Sequence, residues 1–242
     1  MSNNYSQAED LAFPVAFVAV VTNATMCELA VADIMREEEA LKHAGVEHLR
    51  FFYQRIDGEE ILVAMMDINA AAVSKCAREA WNFVRECKRF SDHFVSLERL
   101  LRPHRRNTGN VSSPWTQAET ICEIRPENNA EIKSATWHEA VTGLKVEKEA
   151  EYRLLHQNVW PGVIKAIGAS NISRFDIFLM EFGDNQPYVF YQFQYTGDNF
   201  KNDMKVQSLS PINQRWWKYT NACQLPLPAA SEDSPWQDMK KL

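Results

Sequence analysis

Two stretches of the chain carry side chains that can move a proton beside flat apolar rings. The first, "EYRLLHQNVWPGV" (Glu151 to Val163), sets Tyr152 and His156 four residues apart, with Trp160 four further on. Residues four apart share one face of a helix, so the phenol and the imidazole stand together. A histidine titrates near neutrality and serves as acid or base. The second stretch, "QRWWKY" (Gln214 to Tyr219), holds the adjacent pair Trp216 and Trp217. Helical neighbours point about 100° apart, so both rings are buried only if the helix is enclosed or one ring lines a cavity. Gln214, Arg215 and Tyr219 add polar handles to the same stretch. Flat rings with hydrogen-bonding neighbours suit a sugar, whose axial C–H faces pack on an indole while its hydroxyls need polar partners. Trp160-Pro161 reads as framework, the tryptophan packing and the proline ending the helix.

The elements that must position these residues come as a repeat. "FPVAFVAVV" (Phe13 to Val21) reads as a strand, and a helical pattern from Thr25 to His43 stops at Gly45. "HLRFFYQRIDGEEILVAMMDI" is two strand-like runs around Asp57-Gly58, a strong hairpin signal. A second helical pattern over Ala70 to Leu101 completes the order β-α-β-β-α. That order returns in a strand from Glu139 to Val146 and a helix from Glu147 to Ala169. "RFDIFLMEF", a turn at Gly183-Asp184-Asn185, "PYVFYQFQYT" and a helical stretch around Trp216 to Asn221 follow. Gly58 and Gly183 are 125 positions apart, as are Ala44 and Ala169, and "SSPW" (Ser112 to Trp115) matches "DSPW" (Asp233 to Trp236) at 121.

One such unit leaves a face of its sheet bare, and burying an apolar face requires a partner. Two copies in one chain supply it for each other. The expected fold class is therefore α+β, two tandem units forming an intramolecular pseudo-dimer of sheets, with further homo-oligomerisation left open. The expected division is a disordered tail over residues 1–12, a degenerate unit over 13–126, and a unit carrying the site over 127–242. Under the 125-residue offset, Tyr152 falls on Cys27, His156 on Val31 and Trp160 on Met35. A lone helical histidine is more often structural than functional. Here the loss of Tyr, His and Trp from one copy points to a site in the other.

A net charge of −6 argues against a phosphate-backbone partner, and the basic cluster Arg102 to Arg106 is too short to reverse that. The five cysteines include no CxxC pair, which suggests reduced thiols and a cytoplasmic home. The longest apolar run, Leu11 to Val21, is too short to span a bilayer, so no membrane partner is expected. No glycine-rich phosphate loop and no metal-ligand spacing signals a cofactor or a metal.

"EYRLLHQNVWPGV", then "SRFDIFL", then "QRWWKY" resembles the L-rhamnose mutarotase family in order and spacing, over roughly residues 136 to 242. The resemblance implies ferredoxin-like units that dimerise through their sheets, so that the tandem ferredoxin-like units here would form a pseudo-dimeric α/β barrel, with a monosaccharide substrate and no cofactor. It implies that His156 is the acid/base, and that Tyr152, Trp216 and Trp217 bind the pyranose. A second sugar-contacting tyrosine of the family falls on Phe175, which lacks the hydroxyl, so the resemblance leaves the sugar open. Asp176, next to it, is a candidate helper carboxylate. Two further classes fit the same scaffold: a cofactor-independent oxygenase, and a sugar-binding module without catalysis.

Overall fold

The computed structural model describes residues 12–43, 45–69, 92–104, 113–127, 135–182, 186–231 and 234–242. The turn expected at Gly183–Asn185, residues 70–91 of the second expected helix, Cys76, Cys87, Arg105 and Arg106 lie outside them. So do Ala44, Ser112 and Asp233 of the repeat markers. Of the tail expected over residues 1–12 only Ala12 is described, and it opens a strand. The chain divides into two compact units, Met1–Ala118 with Lys240–Leu242, and Glu119–Met239.

In the first unit the strands are β1 (Ala12–Val21), β2 (Val46–Ile56), β3 (Glu59–Asn69) and the short β4 (Leu101–Arg102). The helices are α1 (Ala24–Ile34), α2 (Glu38–His43) and α3 (Asp92–Glu98). The sheet runs β4-β1-β3-β2 with antiparallel neighbours. Asn23 caps α1 by accepting a hydrogen bond from Met26 N at 3.1 Å. Gly45, at φ 82°, takes the left-handed conformation that lets the chain turn from α2 into β2. Asp57 and Gly58 both have positive φ, 50° and 80°, which is the turn whose twist matches a two-residue hairpin. Cys27, Val31 and Ile34 of α1 are buried against Phe17, Phe51 and Trp115.

The second unit has the same strand order. It contains β6 (Thr136–Leu144), α4 (Glu149–Gln157), α5 (Pro161–Ala169), β7 (Ile172–Phe182) and β8 (Gln186–Tyr195). Then come α6 (Phe200–Leu209), α7 (Pro211–Cys223) and β9 (Gln224–Leu225). Its sheet runs β9-β6-β8-β7, again antiparallel. Strand β5 (Thr116–Ile124) pairs with β1 through Thr116–Ala118 in the first unit and with β7 through Glu119–Ile124 in the second. Of the last two short strands, β10 (Gln237–Asp238) pairs with β6 and β11 (Lys240–Lys241) pairs with β2.

The sequence predicts one helix over Glu147–Ala169; the structure has two. Pro161 has no N–H to donate and drives its predecessor out of the helical region, so Trp160 sits at φ −63°, ψ 134° and Pro161 opens α5 instead. The expected helix over Thr25–His43 is likewise split, between Ile34 and Glu38. Gly143 of β6 lies where an added Cβ would stand 2.6 Å from the Leu225 backbone oxygen. Gly143→Ala is expected to separate β6 from β9 and lower stability by about 1–3 kcal/mol in a urea titration. A variant as stable as the parent would contradict that close approach.

Candidate functional site

Helix α4 is amphipathic, and its buried face consists of Tyr152 and His156. Their rings lie 4.1 Å apart between centroids. His156 Nδ1 is 2.9 Å from the Tyr152 carbonyl oxygen. A carbonyl can only accept, so Nδ1 carries the hydrogen and the neutral ring keeps its lone pair on Nε2. Burial pushes the imidazole pKa down to about 4, only partly opposed by the backbone hydrogen bond, so the ring is neutral at pH 7. Tyr152 is fully buried, which raises its phenol pKa; the nearby Gln224 amide offsets a part of that rise. Its Oη makes no hydrogen bond of normal geometry among the described residues. The pair is thus a proton acceptor beside a hydroxyl that keeps its proton.

Helix α7 brings the tryptophans to the same place. Trp216 is buried, its ring edge-on to His156 at 5.5 Å and to Trp160 at 5.3 Å. Trp217, the next residue, is half-buried. Both line a cavity of about 380 Å³ within the second unit, together with Tyr152, His156 and Phe175. The five residues expected to be catalytic or sugar-binding therefore line one cavity, of a size that holds a small ligand, whereas the expected polar handles Gln214, Arg215 and Tyr219 do not line it. Trp160 is not among the lining residues; it packs edge-on against Trp216 and Tyr219, with the Arg215 guanidinium 5.4 Å from its ring centroid.

The wall opposite the helices comes from β5, β7 and β8, through Ile124, Phe175, Ile177, Tyr191 and Phe193. Successive strand residues point to opposite faces. Phe175 and Ile177 therefore face the cavity and Asp176 does not. Asp176 is fully buried on the other face of the sheet, where it accepts hydrogen bonds from Arg125 Nη1 (2.6 Å), Arg174 Nε (2.6 Å) and Gln192 Nε2 (2.7 Å). The candidate helper carboxylate is held outside the cavity.

Several lining residues have no place among the sequence-based candidates. Phe200, Met204 and Gln207 come from α6, a helix that the sequence pattern does not signal. Asn213, Thr220 and Gln224 extend the tryptophan face along and just past α7. Their spacing from Trp216, three back, four on and eight on, is the helical signal that could have found them. Trp236 also lines the cavity, whereas its counterpart in the repeat, Trp115, is buried in the core of the first unit. Cys27 and Val31, the counterparts of Tyr152 and His156, belong to that same core.

Among the described residues, no group of three His, Cys, Asp or Glu side chains is placed to hold a metal ion. No helix there is long and apolar enough to cross a membrane. The solved structure of a provisionally assigned monooxygenase from Fusobacterium nucleatum is 12% identical, with a TM-score of 0.50 over 96% of this chain and 93% of that one. A similarly described protein from Lactobacillus acidophilus is 10% identical, with a TM-score of 0.49 over 95% and 93%. The first likeness shows the fold alone, a mixed α+β fold. No curated protein gives a match. Residues 138–242, which include the cavity's helices, match the model of the L-rhamnose mutarotase family.

Proposed function

We propose that the second unit is a mutarotase-type epimerase, interconverting the α and β anomers of a deoxy sugar such as L-rhamnose or a related monosaccharide. The observation that carries this reading is the Tyr152–His156 pair, a neutral imidazole beside a protonated phenol, in one cavity with Trp216 and Trp217. The family match over residues 138–242 supports it.

Mutarotation moves one proton from the anomeric hydroxyl to the ring oxygen. His156 Nε2 takes the proton from O1 as the C1–O5 bond breaks and C1=O1 forms. The proton is delivered to O5 from the imidazolium, directly or across the Tyr152 hydroxyl. The open-chain aldehyde turns about C1–C2, and closure reverses each step. Proton and charge balance without any outside reactant. The Nδ1–H bond to the Tyr152 carbonyl fixes the tautomer and steadies the transient imidazolium. Trp216 and Trp217 supply flat faces for the pyranose.

The basic form of His156 is lost only as the pH falls through its lowered value. We expect kcat/KM for anomer exchange to stay flat from about pH 8 to pH 5 and to fall below about pH 4. A fall beginning near pH 6.5 would mean that the titrating base is not a buried, neutral His156. Tyr152→Phe removes a hydroxyl that is buried without a good partner. It should raise folding stability by about 1 kcal/mol and cut exchange at least about tenfold. Exchange at the parent rate in that variant would remove Tyr152 from the chemistry.

The direct test is saturation-transfer NMR between the two anomers of L-rhamnose and related deoxy sugars. Two results would replace the mutarotase reading. Oxygen consumption on phenolic substrates without anomer exchange would favour an oxygenase, and sugar binding without faster exchange would favour a binding module.

A further inference from the structure

We infer that Asn213 determines specificity in this cavity, its side-chain oxygen accepting a hydrogen bond from a hydroxyl of an uncharged monosaccharide. This rests on the mutarotase reading and goes beyond it by naming a residue and excluding charged sugars. Asn213 is buried on α7, one helical turn before Trp216 and two before Thr220, and it lines the cavity with them. Its amide orientation is fixed by chemistry. The side-chain nitrogen is 3.2 Å from the Gln207 carbonyl oxygen at the end of α6, and a carbonyl only accepts. The nitrogen is therefore engaged, and Oδ1 is the atom left over. That Oδ1 is buried with no hydrogen-bond partner among the described residues. A buried acceptor without a partner is costly, and a ligand hydroxyl relieves that cost.

The rest of the lining points the same way. Among the described residues, neither Lys, Arg, Asp nor Glu lines the cavity. The nearby cations are held elsewhere: Arg153 by Glu119 and Glu149, and Arg215 over the Trp160 ring. A carboxylate or phosphate entering the cavity would meet no counter-charge from the described lining, and burying an unpaired charge is strongly unfavourable. Gln224 Oε1 is a second buried oxygen without a partner of normal geometry among the described residues, and His156 Nε2 is a lone pair. With no charged side chain in the described lining, these acceptors and neutral donors such as the Tyr152 hydroxyl suit a ligand whose polar groups are hydroxyls. Uronates and sugar phosphates are excluded, and a neutral pyranose with free hydroxyls fits.

The test compares the parent protein with Asn213→Ala by saturation-transfer NMR. The probes are L-rhamnose and L-fucose, their singly deoxygenated analogues, D-glucuronate and D-galacturonate. In the parent, one deoxy position should lower kcat/KM by about ten- to a hundredfold relative to the full sugar, and both uronates should exchange at the uncatalysed rate. In Asn213→Ala that particular drop should shrink to under about threefold, while drops at other positions persist. Comparing sugars within each protein cancels any loss common to all of them, including partial unfolding. Equal discrimination in both proteins, or uronates accelerated as well as neutral sugars, overturns the assignment and leaves the mutarotase reading standing. The uronate result is read on the parent alone and decides even if the variant does not fold. Exchange of no sugar at all ends the mutarotase reading and this assignment with it.

Discussion

His156→Ala should return anomer exchange to the uncatalysed rate, a loss of about 10²–10⁴-fold, while the protein stays folded. The size follows from the site's poverty in other proton carriers. Among the described residues, His156 is the only lining side chain with a titratable ring nitrogen, and it is unprotonated at neutral pH. The Tyr152 phenol has its pKa raised and holds its proton, so it cannot replace the base. The folded state should tolerate the change and even benefit at low pH. Burial lowers the imidazole pKa from 6.5 to about 4, so between these values the unfolded chain binds a proton that the folded protein does not. Stability is unaffected by this group above about pH 6.5 and is lost as the pH falls towards 4, to a total of about 3 kcal/mol. His156→Ala should remove that acid sensitivity, which chemical denaturation at pH 7 and pH 4 would show. A variant with full exchange activity would end the acid/base assignment.

Asp176→Ala should have the opposite profile, a large loss of stability with little effect on exchange per folded molecule. The carboxylate accepts from Arg125, Arg174 and Gln192, each at 2.6–2.7 Å. Arg174 is 12% exposed at its side chain and Arg125 is 40% exposed. Removing the acid takes the shared carboxylate away from one largely buried guanidinium and one buried amide, whereas Arg125 can turn to water. Breaking a buried pair from one side costs about 3–5 kcal/mol, a large share of a domain's usual 5–15. A denaturant midpoint unchanged from the parent would contradict the pairing. A collapse of exchange in a variant that remains folded would return Asp176 to the chemistry.

Much of the fold and of the site is legible in the sequence, because local signals carry it. Asp57-Gly58 specifies its hairpin, since only residues tolerant of positive φ suit that turn. The four-residue spacing of Tyr152 and His156 puts both on one helix face. The offset to Cys27 and Val31 marks that face as special, because those two fill a core where Tyr152 and His156 border a cavity. What the sequence hides is tertiary in origin or rests on a weak local cue. Asp176 looks like a helper carboxylate beside Phe175, although strand alternation already sets it on the opposite face. Helix α6 escapes notice because its sequence, "FKNDMKVQSL", is polar with no regular apolar stripe. Its cap signal, Asn199 accepting from Asn202 N, is the one local cue to its start. The three-residue spacing of Asn213 from Trp216 puts it on the tryptophan face, but its chemistry becomes legible only once its amide is seen tied to Gln207 and its oxygen left without a partner.

The central claim is that the cavity around His156 accelerates anomer exchange and does not merely hold a sugar. Saturation-transfer NMR on L-rhamnose, L-fucose and related neutral pyranoses with the parent protein measures this directly. For at least one of them, the exchange rate between α and β anomers should rise in proportion to protein concentration. A sugar that binds, as shown by line broadening or calorimetry, with exchange fixed at the protein-free rate would contradict it.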